Sequence, residues 1–584
     1  MTPTELRKAI DVWLAGDPDA TTRAELEALV RRGNGAELEE RFSKPVGFGT
    51  AGLRALMGAG PARMNRAVVR SATAGLARWL LRTDPDVVHR GVVVARDARH
   101  MSLEFASDTA GVLAGAGIPA WVFPSGTPTP LGAFAVPALG AAAGVVVTAS
   151  HNPKDYNGYK VYAANGAQVI PPDDAAIAKE MAEVGPANAV PLLAAEAARA
   201  RGLLREVSPE VRERYLLAIL GERRHPGKGT DLVLVYTAMH GVGGALAVEA
   251  LRRAGFERVH TVPEQQEPDP EFPTVAFPNP EEPGALDHAR SLAEKVKADL
   301  VLANDPDADR LAVMVRATDG TLRQLSGNEV GVLLGHYLLT EGAKVSSPLV
   351  MTTVVSSPEL GQIAARLGAS YEETLTGFKW IANGALRRAR GGTHFLFGYE
   401  AALGYAVGPS VHDKDGMGAA VAFADLAGWA RASGKTVVEA LDDLARQYGV
   451  YGSLQRSVVL PGASGVATMA RVMEGFRRQT PTVIADRSVV AVRDYARRVR
   501  TAEGKRTPLD LPTADLLAFE LSGGAQVLLR PSGTEPKLKL YVEVSEPPGT
   551  QEPLEVVRAR VSAAASALAN GLLEQARMRG LEQA

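Results

Sequence analysis

No cysteine occurs anywhere in the 584 residues. That absence excludes disulfides, thiolate nucleophiles and cysteine-ligated zinc or iron–sulfur centres. Net charge is nearly absent as well. The 64 Lys+Arg against 66 Asp+Glu leave −2, so no basic excess points to nucleic acid or to an anionic membrane surface. A balanced total still permits local basic pockets for a small anion. No apolar run approaches the ~20 residues that span a bilayer. The first ten residues lack an uninterrupted apolar core behind a basic start, so they do not read as a secretory leader. A cytoplasmic protein is expected, with no nucleic-acid, membrane or protein partner implied. Hydrophobic content of 46% and charged content of 22% are ordinary for a globular chain, and several cores can be buried without covalent staples.

What is present is an alternation of strand and helix signals. The first ~40 residues are rich in Glu, Leu, Ala and Arg, which predicts a helical extension over 1–44, with Thr21 and Thr22 as candidate caps of its second helix. From Phe48 the pattern becomes strand, loop and helix. Gly91–Ala95 is a β-branched run, 102–115 reads as a helix, and Trp121–Phe123 as a strand. The alternation restarts near Asp231–Val235 and again at Leu349–Val355. Such units predict mixed sheets with helices on their faces. The expected division is 45–205, 206–322 and 323–446 for three α/β domains in series, then 447–584 for a smaller α+β domain. The proline- and acid-rich stretch from Glu264 to Pro283 reads as a long surface loop.

Four loops carry candidate chemistry. Thr148-Ala149-Ser150-His151-Asn152-Pro153 follows the apolar Gly144–Val147, which places Ser150 at a strand's carboxyl end, where open α/β sheets present their chemistry. A serine there is a nucleophile, a phosphate acceptor or a plain turn residue. Asp305-Pro306-Asp307-Ala308-Asp309-Arg310 follows the strand 300–302. Its alternating carboxylates repel one another unless a cation joins them, and hard oxygen ligands on a tight loop suit Mg²⁺. An EF-hand fails here, since Arg310 and Arg316 stand where Gly and Glu are needed. In Gly398-Tyr399-Glu400, the glutamate can accept two hydroxyl hydrogen bonds from a sugar diol. Arg530-Pro531-Ser532-Gly533-Thr534-Glu535-Pro536-Lys537 combines cations, hydroxyls and glycine-borne N–H groups, the parts of a phosphate cradle, without being a Walker A loop. Nearby glycine-bearing turns add Thr376, Gly377, Lys379 and Lys414, and Phe48–Arg54 brings Arg54.

In order and spacing these segments resemble the α-D-phosphohexomutase superfamily of phosphoglucomutases and phosphomannomutases, from about Phe48 to Val544. The resemblance implies four domains around a central cleft. It implies phosphorylation of Ser150, and Mg²⁺ held by Asp305, Asp307 and Asp309 with an oxygen on Ser150. Glu400 would contact sugar hydroxyls, with Thr376, Gly377 and Lys379 beside it. Arg530, Ser532, Gly533, Thr534 and Lys537 would hold the phosphate that is not transferred. Lys160 matches an acid/base position, and Arg54, His151, Arg310 and Lys414 surround it. One departure is Ala402, where many phosphoglucomutases carry a serine that touches the sugar. Thr374–Lys379, Asn279–Glu282 and Gly398–Tyr405 look more like the branch of phosphopentomutase-type and related bacterial phosphosugar mutases.

The expected activity is reversible phosphoryl transfer between C1 and C6 of a hexose phosphate, glucose or mannose, through phosphoserine and a bisphosphate intermediate, primed by a sugar bisphosphate activator such as glucose 1,6-bisphosphate. A pentose mutase, a sugar bisphosphate synthase and a phosphatase are the enzymatic competitors, and a sugar-phosphate sensor the non-enzymatic one. For Lys160 to act as a base its pKa must be lowered by cationic neighbours.

Overall fold

The computed structural model describes residues 1–49, 52–342, 344–460, 462–532, 537–547, 549 and 552–581. Three helices open the chain, Pro3–Gly16, Ala20–Arg32 and Gly35–Ser43. The second is capped by Asp19 rather than by Thr21 or Thr22, because the aspartate carboxylate accepts the Thr21 N–H at 2.9 Å one residue ahead of the first helical turn.

Three α/β sheets and one antiparallel sheet follow in series, as the alternation of patterns predicts. In the first sheet the parallel core 120–122, 92–96 and 143–147 is flanked on one side by the antiparallel strand Tyr156–Ala163 and then by Leu53–Leu56. The second places Leu300–Ala303 beside Leu234–Thr237 in parallel, with Ala312–Arg316 antiparallel on its other edge. In the third, Pro348–Thr353 lies parallel to both Ser370–Thr374 and His394–Glu400. Strand interiors dominated by Val, Leu and Ala suit sheets covered on both faces. One continuous apolar core joins these three sheets and contains residues from Val93 to Tyr448. Through it runs the helix Gly416–Ala432, buried on nearly every side, as its largely apolar sequence, rich in Ala and Gly on every face, requires.

The last sheet is antiparallel, running from Val450–Val459 through Lys537–Glu546, Gln526–Pro531 and Leu517–Leu521 to Arg487–Asp494 and a terminal hairpin. It is backed by the helices Gly462–Arg478 and Leu554–Met578 around a core of its own. Sequence reading missed the strand 517–521, the hairpin and the helix 462–478, whose short or Gly- and Arg-interrupted runs carry weak periodicity. No helix among the described residues is long and apolar enough to cross a membrane.

The last sheet meets the third domain through a small apolar cluster, in which Val354, Val355 and Leu375 pack with Leu516, Leu528 and Tyr541, and along a polar seam. Asn328 donates to Ser453 Oγ at 2.7 Å, and Ser453 donates to Glu543 Oε2 at 2.7 Å. Glu543 and Glu359 are both buried there, and burial pushes each carboxyl up to about 8, with Glu329 adding to the shift on Glu359 and Glu359 to that on Glu543. A carboxyl whose pKa rises on folding binds more protons folded than unfolded between its ordinary value of 4.5 and about 8, so stability falls as pH rises through that window. We therefore predict that Glu359→Gln flattens the decline in urea midpoint between pH 5 and pH 8 and leaves the variant more stable than the parent at pH 8. An unchanged slope contradicts the burial argument.

Candidate functional site

All four chemistry-bearing segments leave the carboxyl end of a strand and converge on one cleft of about 540 Å³. Ser150 follows Ala143–Val147 in a left-handed conformation at φ 56°, a strained state that only a well-determined surrounding sustains. The surrounding is Arg99. Its buried guanidinium donates to the carbonyls of Ser150, Asn152 and Pro153, at 2.5, 2.6 and 2.9 Å, and pairs with Asp97 at 3.1 Å. Sequence reading passed over Arg99. Thr148 Oγ1 also accepts the Ser150 N–H at 2.8 Å.

The aspartate loop follows Leu300–Ala303 and packs so closely that glycine is obligatory opposite it. A Cβ on Gly241 would stand 2.4 Å from Pro306 Cα, and one on Gly416 would stand 2.2 Å from the Arg310 carbonyl. Asp305, Asp307 and Asp309 are fully buried, with one ligand atom from each inside a 4.8 Å group. Ser150 Oγ donates to Asp305 Oδ2 at 3.1 Å, so the hydroxyl and the triad share one point. Asp307 is pinned from the first sheet's helix by Thr129 Oγ1 at 2.7 Å.

The charges around this point are ordered. Lys160 Nζ lies 2.7 Å from Asp307 Oδ2 and 2.8 Å from Asp309 Oδ2, and Lys414 Nζ lies 2.9 Å from Asp309 Oδ2. Burial alone would raise the Asp307 carboxyl, but Lys160 and Lys414 outweigh it and hold the group well below its ordinary range. Asp305 meets neither lysine in an ion pair, and burial with the two neighbouring carboxylates drives it up. The cationic surroundings expected to lower Lys160 are not what it has. Its burial is overridden by Asp307, Asp309 and Asp413, which raise its pKa and keep it protonated. His151 is the group held neutral. Burial lowers it, and the Arg310 and Arg54 guanidiniums lower it further. Its Nδ1 lies 3.2 Å from Ser150 Oγ.

The triad also fits a hard cation. Asp307 Oδ1 and Asp309 Oδ1 are buried without any hydrogen-bond partner, an arrangement that is expensive unless something positive is received there. An all-oxygen donor set suits Mg²⁺, Ca²⁺ or Mn²⁺ rather than a soft metal.

The remaining predicted residues distribute around the cleft. Arg54 donates to Asn152 Oδ1 at 2.9 Å beside the serine loop. Glu400 ends its strand with Oε1 accepting the Gly377 N–H at 2.7 Å, and Gly377 has a φ of 110° that favours glycine. Arg530 donates to Thr376 Oγ1 across the seam. Ser532 and Lys537 line the cleft, while Gly533 and Thr534 lie outside the described residues. Lys379 is not on the cleft wall. Its Nζ turns toward Asp174 Oδ2 at 3.7 Å and the Gly49 carbonyl at 3.5 Å. Among the wall residues that escaped the sequence are Ser457, Lys539 and Gln455. The strand registers put Ser457, Lys539 and Arg530 in one row across three strands, a neighbourhood invisible without the pairing. The stretch expected as a surface loop is also partly wall. Phe277, Asn279, Glu281 and Glu282 face the cleft, and Gln265 and Phe272 are buried.

Fold and site together define an α/β enzyme with a serine set against a metal-competent carboxylate triad and an opposing anion-binding wall. Sequence models of the three alpha/beta/alpha domains and the C-terminal domain of phosphoglucomutase/phosphomannomutase match residues 45–187, 213–320, 326–448 and 476–560. The chain belongs to the phosphoglucomutase/phosphomannomutase family and is a phosphosugar mutase, an isomerase of the intramolecular phosphotransferase kind. It is 36% identical over 565 residues to a phosphopentomutase of Homo sapiens, covering 93% of this chain and 92% of that one. It is 39% identical over 484 residues to a probable phosphomannomutase of Haemophilus influenzae, covering 82% and 93%. A phosphoglucomutase/phosphomannomutase family protein of Burkholderia thailandensis shares the fold, with a TM-score of 0.63 at 20% identity over 92% of this chain and 98% of that one.

Binding of a divalent cation to the folded triad must stabilise the fold by mass action. Millimolar Mg²⁺ is predicted to raise the apparent melting temperature of the parent chain and to leave that of Asp307→Asn unmoved. A shift of equal size in both would place the cation elsewhere.

Proposed function

We propose that the chain interconverts the 1-phosphate and 6-phosphate of a hexose, glucose above all and mannose beside it, with Ser150 as the residue that carries the phosphoryl group. The single observation behind this reading is the 3.1 Å contact between Ser150 Oγ and the aspartate triad. A nucleophile in that place can exchange a phosphoryl group beside a divalent cation. In the first half of the cycle the bond from Ser150 Oγ to phosphorus breaks as a sugar hydroxyl takes the phosphoryl group. His151, neutral and adjacent, accepts the hydroxyl's proton and passes it to Oγ. In the second half Oγ attacks the sugar's other phosphate and gives its proton to His151, which passes it to the departing sugar oxygen.

Asp305, Asp307 and Asp309 would hold Mg²⁺, which when bound supplies positive charge against the equatorial phosphoryl oxygens. Arg54, Arg310 and Lys414 face the same oxygens. Lys160 is assigned an electrostatic role beneath the triad, since both of its carboxylate contacts keep it a cation. On the opposite wall Arg530, Ser532, Lys537 and Lys539 form an anion clamp for the phosphate that stays; the family resemblance assigns Gly533 and Thr534 to the same role. Glu400 reads the sugar hydroxyls, its carboxylate oriented by the Gly377 N–H, with Thr376 beside it. A bisphosphorylated sugar primes the serine, and its enclosure between the two walls keeps water from the phosphoserine.

A second reading is favoured by Ala402. It lines the cleft where a serine hydroxyl would add a sugar contact, so a pentose 1-phosphate and 5-phosphate pair is the competing substrate. A coupled assay with glucose 1-phosphate, mannose 1-phosphate and ribose 1-phosphate, Mg²⁺ and a bisphosphate activator separates the two. The parent chain is expected to turn over the hexose phosphates fastest, and a clear preference for ribose 1-phosphate reverses the assignment. Ser150→Ala is expected to lose at least about a thousandfold in kcat while keeping the Mg²⁺-dependent rise in melting temperature. Near-normal turnover by that variant would falsify the phosphoserine role.

A further inference from the structure

We propose that Glu281 is an internal competitor for Arg310, its carboxylate occupying the guanidinium until a substrate phosphoryl group displaces it. The inference rests on the phosphosugar reading of the cleft and adds a residue that governs how firmly the cleft holds phosphate. The segment from Phe277 to Glu282 turns back into the cleft next to the serine. The Phe277 ring lies 6.2 Å from the His151 ring, tilted by 53°. Asn279, nearly buried, forms the turn that presents the glutamates. Its Oδ1 accepts the Glu281 N–H at 3.3 Å and its carbonyl the Glu282 N–H at 2.9 Å.

Arg310 does not need Glu281 to stay in place. Its N–H donates to Asp305 Oδ1 at 3.0 Å and its carbonyl accepts from Asn304 Nδ2 at 2.6 Å. Its guanidinium, however, is only partly engaged. Its Nη1 meets Glu281 Oε2 at 3.2 Å and Asn279 Oδ1 at 3.5 Å, and its Nη2 lies 3.4 Å from His151 Nε2. The Nε donor is buried and has no hydrogen-bond partner. A guanidinium fork with one contact to a carboxylate and an unmet Nε is waiting for an acceptor with more oxygens, and a phosphoryl group has three.

Glu281 is suited to yield. Its side chain remains 40% exposed, and ion pairs with that much water access are weak. It is also suited to return. A bisphosphorylated sugar must leave Arg310 to exchange its two ends, and a departing phosphate would otherwise strand a buried, unpaired charge. A carboxylate already in reach removes that penalty and keeps the cleft from gripping its intermediate too firmly.

Titration calorimetry of the full chain with inorganic phosphate in the presence of Mg²⁺ tests this without requiring turnover. Glu281→Gln is expected to lower the phosphate Kd about threefold to fivefold, the size an exposed ion pair supports. Glu282→Gln removes the same charge from the same loop without touching the pair and is expected to change Kd by less than about twofold. In an Arg310→Gln background the effect of Glu281→Gln is expected to vanish. Unchanged or weaker phosphate binding in Glu281→Gln overturns the proposal. So does an equal effect from Glu282→Gln, or persistence of the effect without Arg310. If the parent chain turned over no sugar phosphate, the mutase reading would fail in the coupled assay, and the calorimetry would still decide the competition at Arg310.

Discussion

Three carboxylates cannot be buried at one point unless positive charge is brought to meet them. That constraint organises the centre of this protein. Lys160 comes from a strand of the first sheet and Lys414 from the turn before the buried helix, and both end on the aspartate loop of the second. Thr129 reaches Asp307 from yet another helix. Three domains are therefore tied together by the charge balance of one loop, and the same ties set Ser150 against Asp305. Even with both lysines in place, two aspartate oxygens remain without partners. The balance is incomplete in the way a divalent cation would complete.

The uneven titration of the triad follows from this geometry. The two aspartates that touch lysine are held ionised, and the one that touches only the serine hydroxyl and a backbone N–H is driven up. Charge at the site is thus graded toward the serine. On the other side of Ser150 the histidine is kept neutral by burial, helped by two arginines. The serine sits between a group that can move a proton and a cluster that can receive a cation, and the opposing wall, carried by a sheet with a core of its own, faces both. A wall that meets its neighbour through the polar contacts of Asn328, Ser453 and Glu543 and one small apolar cluster can part from it more readily than one sharing the main apolar core.

Much of this was legible in the sequence because the chemistry lies in short contiguous loops after strands. Ser150, the three aspartates, Glu400 and Arg530 all stand in local patterns that a strand-then-turn reading exposes; Ser150, Glu400 and Arg530 line one cleft, and the buried aspartates meet it at Ser150. What stayed hidden depends on contacts between residues far apart in the chain. Arg99 wraps the serine loop from 51 to 54 residues away. Lys539 joins Arg530 only through strand register. The segment around Glu281 has the proline and acid content of a surface loop, and nothing local tells that Phe277 packs toward His151. Lys160 shows the opposite error. Its position was visible, but its electrostatics depend on which side chains surround it, and those are carboxylates from another domain.

The central claim is that serine and triad act as one unit, and it is tested most directly by peptide mass spectrometry after incubation with glucose 1,6-bisphosphate and Mg²⁺. The account predicts a single phosphoryl group on the peptide containing Ser150, and none there when Asp305 is replaced by alanine. Phosphate on another residue, or undiminished phosphorylation of Ser150 without Asp305, would contradict it.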